Sequence, residues 1–420
     1  MIYIYVMSIA ALAVLEQPPN VSQVKSISVM RVASIDIVRA LTMVLMIFVN
    51  DLGSLKNIPL WLEHVKPGVD GIGLADVVFP AFLFIVGLSL PFAMENRRKK
   101  GDSELQLVKH VLVRSFALLV MGVFLVNGET INEAATGMQS YVWYTLSCLS
   151  FIFIWNIYPK SANRYLVYTA KAAGIITLIV LAFIYRGGED GQLNRFAPQW
   201  WGILGLIGWS YLAAGLITVF SKNNFWVILG AWIFFCVLSM VNKAGYIPRE
   251  SIFSFIPGAI LGGTLAGLTM GGVLTAIIFR YFRKRNDNRT MTIVFVAFAA
   301  LLIILSVITR PYWKLAKLGA TPAWLFLCSA FTLLAFIAVY WIADVKGKAR
   351  WFKPIRPAGT DTLLCYLIPY FVYAILSATN FHWPDPVITG GIGLVKSLLL
   401  ALFCVFITGM LNKAGVRLKL

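Results

Sequence analysis

Charge is what this chain lacks. Of its 420 residues only 13% are Asp, Glu, Lys or Arg, and 18 are acidic, against about a quarter charged in an ordinary soluble domain. Histidine is scarcer still, at three. No two of the three share a helix face and no acidic cluster accompanies them, so a metal site is not expected. The five cysteines, Cys148, Cys236, Cys328, Cys365 and Cys404, have no C-x-x-C spacing and fall inside apolar runs. They read as small buried hydrophobes, neither a disulfide frame nor a metal site.

What fills the chain is hydrocarbon: 59% of residues are hydrophobic and the mean hydropathy is +0.80. Apolar runs of about 20 residues, enough to cross a bilayer, recur from end to end. The pattern predicts an all-α, polytopic integral membrane bundle of about 11–12 transmembrane helices. Spans are expected near residues 35–52, 73–94, 112–126, 141–158, 165–185, 202–220, 225–241, 257–282, 291–309, 322–343, 359–378 and 387–411. The opening MIYIYVMSIAALAVLEQPP has neither a basic n-region nor an A-x-A site. It is read as an N-terminal extension, 1–30, ahead of a single membrane domain, 31–420.

Lys and Arg outnumber acids, and the net charge is +18. The excess gathers in alternate loops: RRKK at 97–100, RKR at 283–285, KGKARWFKPIR at 346–356 and the tail KAGVRLKL. The intervening segments 127–140 and 378–386 hold no Lys or Arg. By the positive-inside rule the basic loops face the cytoplasm, with both termini inside and an even number of spans. The charge is accounted for by topology and anionic lipid, and no nucleic-acid partner is implied.

Polar residues at membrane depth are costly, so each is a functional candidate, with an interhelical partner as the ordinary alternative. Asp36 and Arg39, three residues apart, read as a local ion pair at the inner end of span one. At its outer end stand Asn50 and Asp51, followed by the loop WLEHVKPGVDGIGLADVVFPAF (61–82), which carries His64 and then Asp76 in the first turn of span two. Topology brings an amide, an imidazole and a carboxylate to one membrane surface. Neutral imidazole can take a proton near pH 7, a carboxylate can fix its tautomer, and an amide can donate to a developing oxyanion. The plainer alternatives are a solvated loop histidine and an aspartate placed at a helix N-terminus.

Glu63, Lys66 and Asp70 read as loop surface, His110 as a solvated inner residue and His382 as an outer-loop residue. Trp61, Trp200, Trp201 and Trp383 suit either interfacial anchoring or stacking on a sugar. The small residues of IPGAILGGTLAGLTMGG in span eight predict close helix packing. Lys346, Lys348, Arg350, Lys353 and Arg356, with Trp351 and Phe352 among them, satisfy the positive-inside rule and also offer donors to a phosphate.

Several stretches together resemble the transmembrane acyltransferases typified by heparan-alpha-glucosaminide N-acetyltransferase and its bacterial homologues. They are RVASIDIVRALTMVLMIFVN (31–50), His64 with GLADVVFPAFLFIVGLSL (73–90), YIPRESIFSFIPGAILGGTLAG (246–267), LGATPAWLFLC (318–328) and YWIADVKGKARWFKPIRPAGTDTLLCYLIP (340–369). Arg31, Ser34, Asp36, Asn50, His64, Asp76, Phe79, Pro80 and Phe82 match the family pattern one by one. It departs at GMQSYVW after span three and at Ile368, Pro369 and Tyr370, differences that bear on the acceptor more than on the chemistry.

The resemblance implies acetyl-CoA as acyl donor from the cytoplasm and an amino sugar or glycan as acceptor on the outer, periplasmic face. It implies His64 as catalytic base or acyl carrier, Asn50 as its partner at the reacting carbonyl and Asp76 as supporting carboxylate. Arg114, Lys353 and Arg356 are the residues expected at the donor's phosphates. Bacterial inner membrane and a homodimer are further expectations from the resemblance. An amino-sugar permease and an O-acetyltransferase of envelope glycans are the alternatives; the first would want an internal repeat, and none is visible.

Overall fold

The computed structural model describes residues 32–159, 161–189, 192–247 and 256–420. The expected extension, 1–30, lies outside them. Among these residues twelve apolar helices follow one another, each over one of the expected spans: α1 Ala33–Asp51, α2 Leu74–Lys99, α3 Glu104–Glu129, α4 Ser140–Trp155, α5 Arg164–Ile184 and α6 Gly202–Phe220. Then come α7 Phe225–Lys243, α8 Thr264–Lys284, α9 Asn288–Thr309, α10 Pro322–Tyr340, α11 Thr362–Ala378 and α12 Gly390–Lys413.

Ten of them are long and apolar enough to cross a membrane unaided. α11 qualifies together with the segment Ala349–Thr360 before it, at a bend of 78°, and α4 is apolar but falls in the shorter class. The protein is a multi-pass membrane bundle, and among the described residues no extended strand is present.

The helix starts are written locally. Ser103 accepts from the Gln106 N–H while the Gln106 side chain accepts from the Ser103 N–H, a reciprocal cap for α3. Asn163, Asn224, Asp287 and Thr321 cap α5, α7, α9 and α10 more simply, each side-chain oxygen accepting from a backbone N–H of the first turn. One start is capped from far away: Asp344, on a π-helical turn Trp341–Val345 that continues α10, accepts from the N–H groups of Ala33 and Ser34 at 3.1 and 2.9 Å. A carboxylate there meets the positive end of the α1 dipole.

At the centre is α8, most of whose length is buried, whereas α5 is largely exposed. It packs on α2, α6, α7 and α10. Gly272 of α8 lies directly on the Phe84 carbonyl of α2, and Gly87 of α2 on the Thr269 carbonyl of α8, so neither position has room for a methyl. The small residues of span eight thus serve packing within one chain. Gly122 of α3 meets the backbone of α6 at Gly205 in the same manner. The large exposed residues of α5, α7, α9 and α12, such as Ile176, Phe234, Ile304 and Phe406, suit a hydrocarbon solvent.

Polar contacts sort to the two ends. At one end Asp36 pairs with Arg39 at 3.2 Å, as its spacing predicts, and Arg39 also donates to Ser89 Oγ and the Gly359 carbonyl. Glu95 pairs with Lys99 and Arg280, and Arg98 with Glu104. The C-terminal tail is stitched to the end of α4, Arg417 N–H donating to Asn156 Oδ1. At the other end lie the loops after α1, α9 and α11. Residues Ala33–Leu420 form one compact unit, and all five cysteines in it are buried and free.

Candidate active site

His64 follows a single 3-10 turn, Leu60–Leu62, on the loop between α1 and α2. Its Nδ1 lies 2.7 Å from Asp76 Oδ1. The second carboxylate oxygen accepts from the N–H groups of Val65, at 3.0 Å, and Gly73, at 3.1 Å. Asp76 therefore gathers three N–H donors, the imidazole and two backbone groups of the loop that holds it. The Trp324 indole N–H of α10 donates to the Asp76 carbonyl at 3.0 Å and fixes the backbone below.

Burial is divided unequally within the pair. The Asp76 side chain is 3% exposed, whereas that of His64 is 49% exposed. A carboxylate accepts, so the Nδ1 facing it carries the proton, and in a neutral ring the lone pair falls on Nε2. The arrangement is a His–Asp dyad with a half-open imidazole.

A third group meets it. Lys317, on the loop between α9 and α10, places its Nζ 3.3 Å from His64 Nδ1 and 3.4 Å from Nε2, along neither in-plane lone pair. Burial pulls the Lys317 ammonium below its ordinary pKa, and the Asp76 charge opposes that pull. The two loops are clamped together. Arg310 Nε lies 3.1 Å from both oxygens of Asp70, Leu315 N–H donates to Asp70 Oδ1 at 2.8 Å, Gly71 N–H to the Leu315 carbonyl and Lys314 Nζ to the Gly68 carbonyl. Asp70, expected at the loop surface, is partly exposed and is half of this clamp. The Leu315 N–H, followed by Arg310, lowers its pKa.

Of the three groups expected to act together, His64 and Asp76 are joined. Asn50 sits in the last turn of α1 at the same end, exposed, and no hydrogen bond links its side chain to either. Its neighbour Asp51 is buried instead, accepting from Tyr373 Oη at 2.8 Å, Lys396 Nζ at 2.7 Å and Ser397 Oγ at 2.5 Å. That cluster ties α1 to α11 and α12.

The residues expected at the donor lie at the opposite end. Arg114 of α3 stacks over the Tyr211 ring of α6 at 4.6 Å, its Nε buried with no hydrogen-bond partner. Lys353 and Arg356 are exposed, on a segment packed against α1 and α12. No hydrogen bond or ion pair among the described residues joins them to Arg114. His110, expected to be solvated, is half-buried, with Nδ1 3.0 Å from Arg97 Nη2; Arg97 is drawn to it and to Asp102 together. His382 stays in its exposed loop. Among the described residues no group of three or more His, Cys, Asp or Glu is placed to hold a metal.

Sequence reasoning missed Lys317 and the Asp51 cluster. A signal for the first was present: Arg310, Lys314 and Lys317 crowd a loop that the charge rule assigns to the basic-poor side, and Lys317 directly precedes LGATPAWLFLC.

The fold and site define a multi-pass helical membrane protein with a His–Asp pair at one end of its bundle. A family model described as a domain of unknown function (DUF5009) matches residues 31–264, more than half of the chain, and the chain belongs to that family. The matched range contains Asn50, His64, Asp76 and Arg114. Heparan-alpha-glucosaminide N-acetyltransferase from Mus musculus is 38% identical to it over 98 residues, and that from Homo sapiens 35% over 98 residues. Each match takes in 23% of this chain and 14% of the relative, so the chain matches only a small part of their length.

Proposed function

We propose that the protein is a membrane acyltransferase, moving an acetyl group from acetyl-CoA on the cytoplasmic side to an amino sugar or glycan on the outer face. The observation that carries this reading is the His64–Asp76 dyad, a half-exposed imidazole with a buried carboxylate on Nδ1. The partial similarity to two N-acetyltransferases supports the reaction class.

In this reading the acceptor's N–H or O–H lies against His64 Nε2, which takes the proton as the acceptor's nitrogen or oxygen bonds to the thioester carbonyl carbon. The C–S bond then breaks, and the proton leaves with the thiolate sulfur. Asp76 holds the tautomer and stabilises the imidazolium, and base catalysis of this kind contributes about 10²–10⁴-fold. Asn50 donates to the carbonyl oxygen as it becomes negative, once the acyl group brings that oxygen to the end of α1. An acyl-His64 intermediate would use the same nitrogen as nucleophile.

Arg114, Lys353 and Arg356 offer charge and forked donors to the donor's phosphates. Trp61, three residues before His64 and 66% exposed, offers a face to a sugar ring. The orientation, with both termini in the cytoplasm of a bacterial inner membrane, rests on the distribution of Lys and Arg; a homodimer rests on the resemblance alone.

The test is purified protein with radiolabelled acetyl-CoA and a panel of glucosamine-containing acceptors, wild type beside His64→Ala. Labelled product from the wild type only is the expected result. Sugar uptake into vesicles without acyl transfer would replace the enzyme by a permease, and transfer to hydroxyls alone would move the acceptor to an O-linked glycan.

A further inference from the structure

We propose that Lys317 is a positioning residue that holds the His64 imidazole in its neutral form, with the Nε2 lone pair available to accept a proton. A carboxylate 2.7 Å from Nδ1 by itself favours imidazolium, because an opposite charge within about 4–6 Å stabilises the charged form. An imidazole already protonated at neutral pH is no base. Lys317 Nζ, at 3.3 and 3.4 Å from the ring nitrogens, supplies the counterweight, since a like charge at that range disfavours imidazolium. Nδ1 is committed to Asp76 as donor, and Lys317, almost equidistant from the two ring nitrogens, acts on the ring by its charge and leaves the Nε2 lone pair to an incoming N–H or O–H.

The other charged and titratable groups on the surrounding elements do not supply this balance. On the His64 loop, the side chains of Glu63 and Lys66 form no hydrogen bond or ion pair with any described residue, and Asp70 is bound to Arg310. On the facing loop Lys314 donates to the Gly68 carbonyl. Below, Asp76 belongs to the dyad and Cys328 is a buried free thiol of α10.

The position of Lys317 is built into the fold. Leu315 N–H is held by Asp70, and Ala316 N–H donates to Thr321 Oγ1. The Ala320 carbonyl accepts from Thr264 Oγ1 at 2.6 Å, and that hydroxyl is in turn bound to Ser239. The loop is pinned on both sides of the lysine.

Only the kinetic part of this inference rests on His64 being the base for acyl transfer. The direct test is NMR titration of the full-length protein in micelles with isotope-labelled histidine, the His64 resonance assigned by its loss in His64→Ala. Lys317→Met is expected to raise the His64 midpoint by on the order of one unit, the Coulomb effect of a charge at this distance in water-like surroundings. Lys317→Arg keeps it near the wild-type value. In turnover, the acid limb of the Lys317→Met rate profile moves up by the same amount, and Lys317→Arg restores the wild-type limb. An unchanged His64 midpoint in both Lys317→Met and Lys317→Gln overturns the inference. A raised midpoint in a protein that transfers no acyl group upholds it and rejects the acyltransferase reading instead.

Discussion

A methyl group at Gly73 gives a sharp test of how the dyad is held. A Cβ built there would lie 1.9 Å from the Glu63 carbonyl oxygen, and real Cβ atoms are essentially never closer than 3.0 Å to such an atom. Gly73→Ala therefore drives the two backbone segments apart by at least about 1.1 Å. Backbone torsion offers no obstacle, since Gly73 is extended, with φ −100° and ψ 170°. Glu63 immediately precedes His64, and Gly73 N–H is itself a ligand of Asp76 at 3.1 Å.

A displacement of that size, spent on either side, breaks the 2.7 Å bond between His64 and Asp76 or the loop's hold on the carboxylate. Misplacing a catalytic group by about 1 Å costs on the order of 10²-fold in rate. Gly71→Ala is the control on the same loop, because its Cβ would sit 3.5 Å from Val65 Cγ2, an ordinary contact. The assay is the initial rate of acyl transfer, with thermal unfolding in detergent to confirm that both variants are folded. Equal rates for Gly73→Ala and Gly71→Ala would refute the claim that this backbone contact sets the dyad.

Four further outcomes are expected. Asp76→Asn removes a charge-assisted bond worth about 1.5–3 kcal/mol, so turnover should fall by roughly 10- to 150-fold at an unchanged fold, measured by acyl transfer and circular dichroism. Asp51→Ala leaves the Lys396 ammonium, 10% exposed, without its carboxylate, and should cost about 3–5 kcal/mol in unfolding experiments, whereas Asp51→Leu with Lys396→Met recovers most of the loss. Gly272→Ala, against the Phe84 carbonyl, should destabilise the α2–α8 contact by about 1–3 kcal/mol, read as a lower melting temperature. The Asp70 pKa is lowered in the fold, so its clamp is present above the unfolded carboxyl value of about 3.9 and lost as pH falls through the lower folded value. With both partners over a third exposed this is worth about 1 kcal/mol or less, and Asp70→Asn should abolish that acid-dependent part of the unfolding curve.

The spans were legible because a bilayer leaves an apolar run of fixed length little choice but a helix, and every expected span has its helix. The Asp36–Arg39 pair was legible for the same local reason, three residues on one helix. His64 and Asp76 were within reach because twelve residues and one loop separate them. What could not be read joins elements hundreds of residues apart: Lys317 to His64, Lys396 and Tyr373 to Asp51, Asp344 to the start of α1.

Pairwise packing leaves no periodic mark in a single sequence, so a lysine in span twelve reads as an interfacial cation until its partner is seen. The bend before α11 was hidden too. The run 359–378 looks like one span, yet Gly359 is pressed against the Asp36 carbonyl, with no room for a side chain, and the chain turns there by 78°. His110 misled in the other direction, because a basic loop suggests solvent and says nothing of Arg97 on the neighbouring helix.

The most direct test of the central claim uses sealed vesicles with acetyl-CoA on one side only and a glucosamine acceptor on the other, for wild type and His64→Ala. The account predicts acetylated acceptor when the donor is on the side of Arg114 and Lys353 and the acceptor on the side of His64, and none from His64→Ala. Full transfer by His64→Ala, or none by the wild type in either orientation, would contradict it.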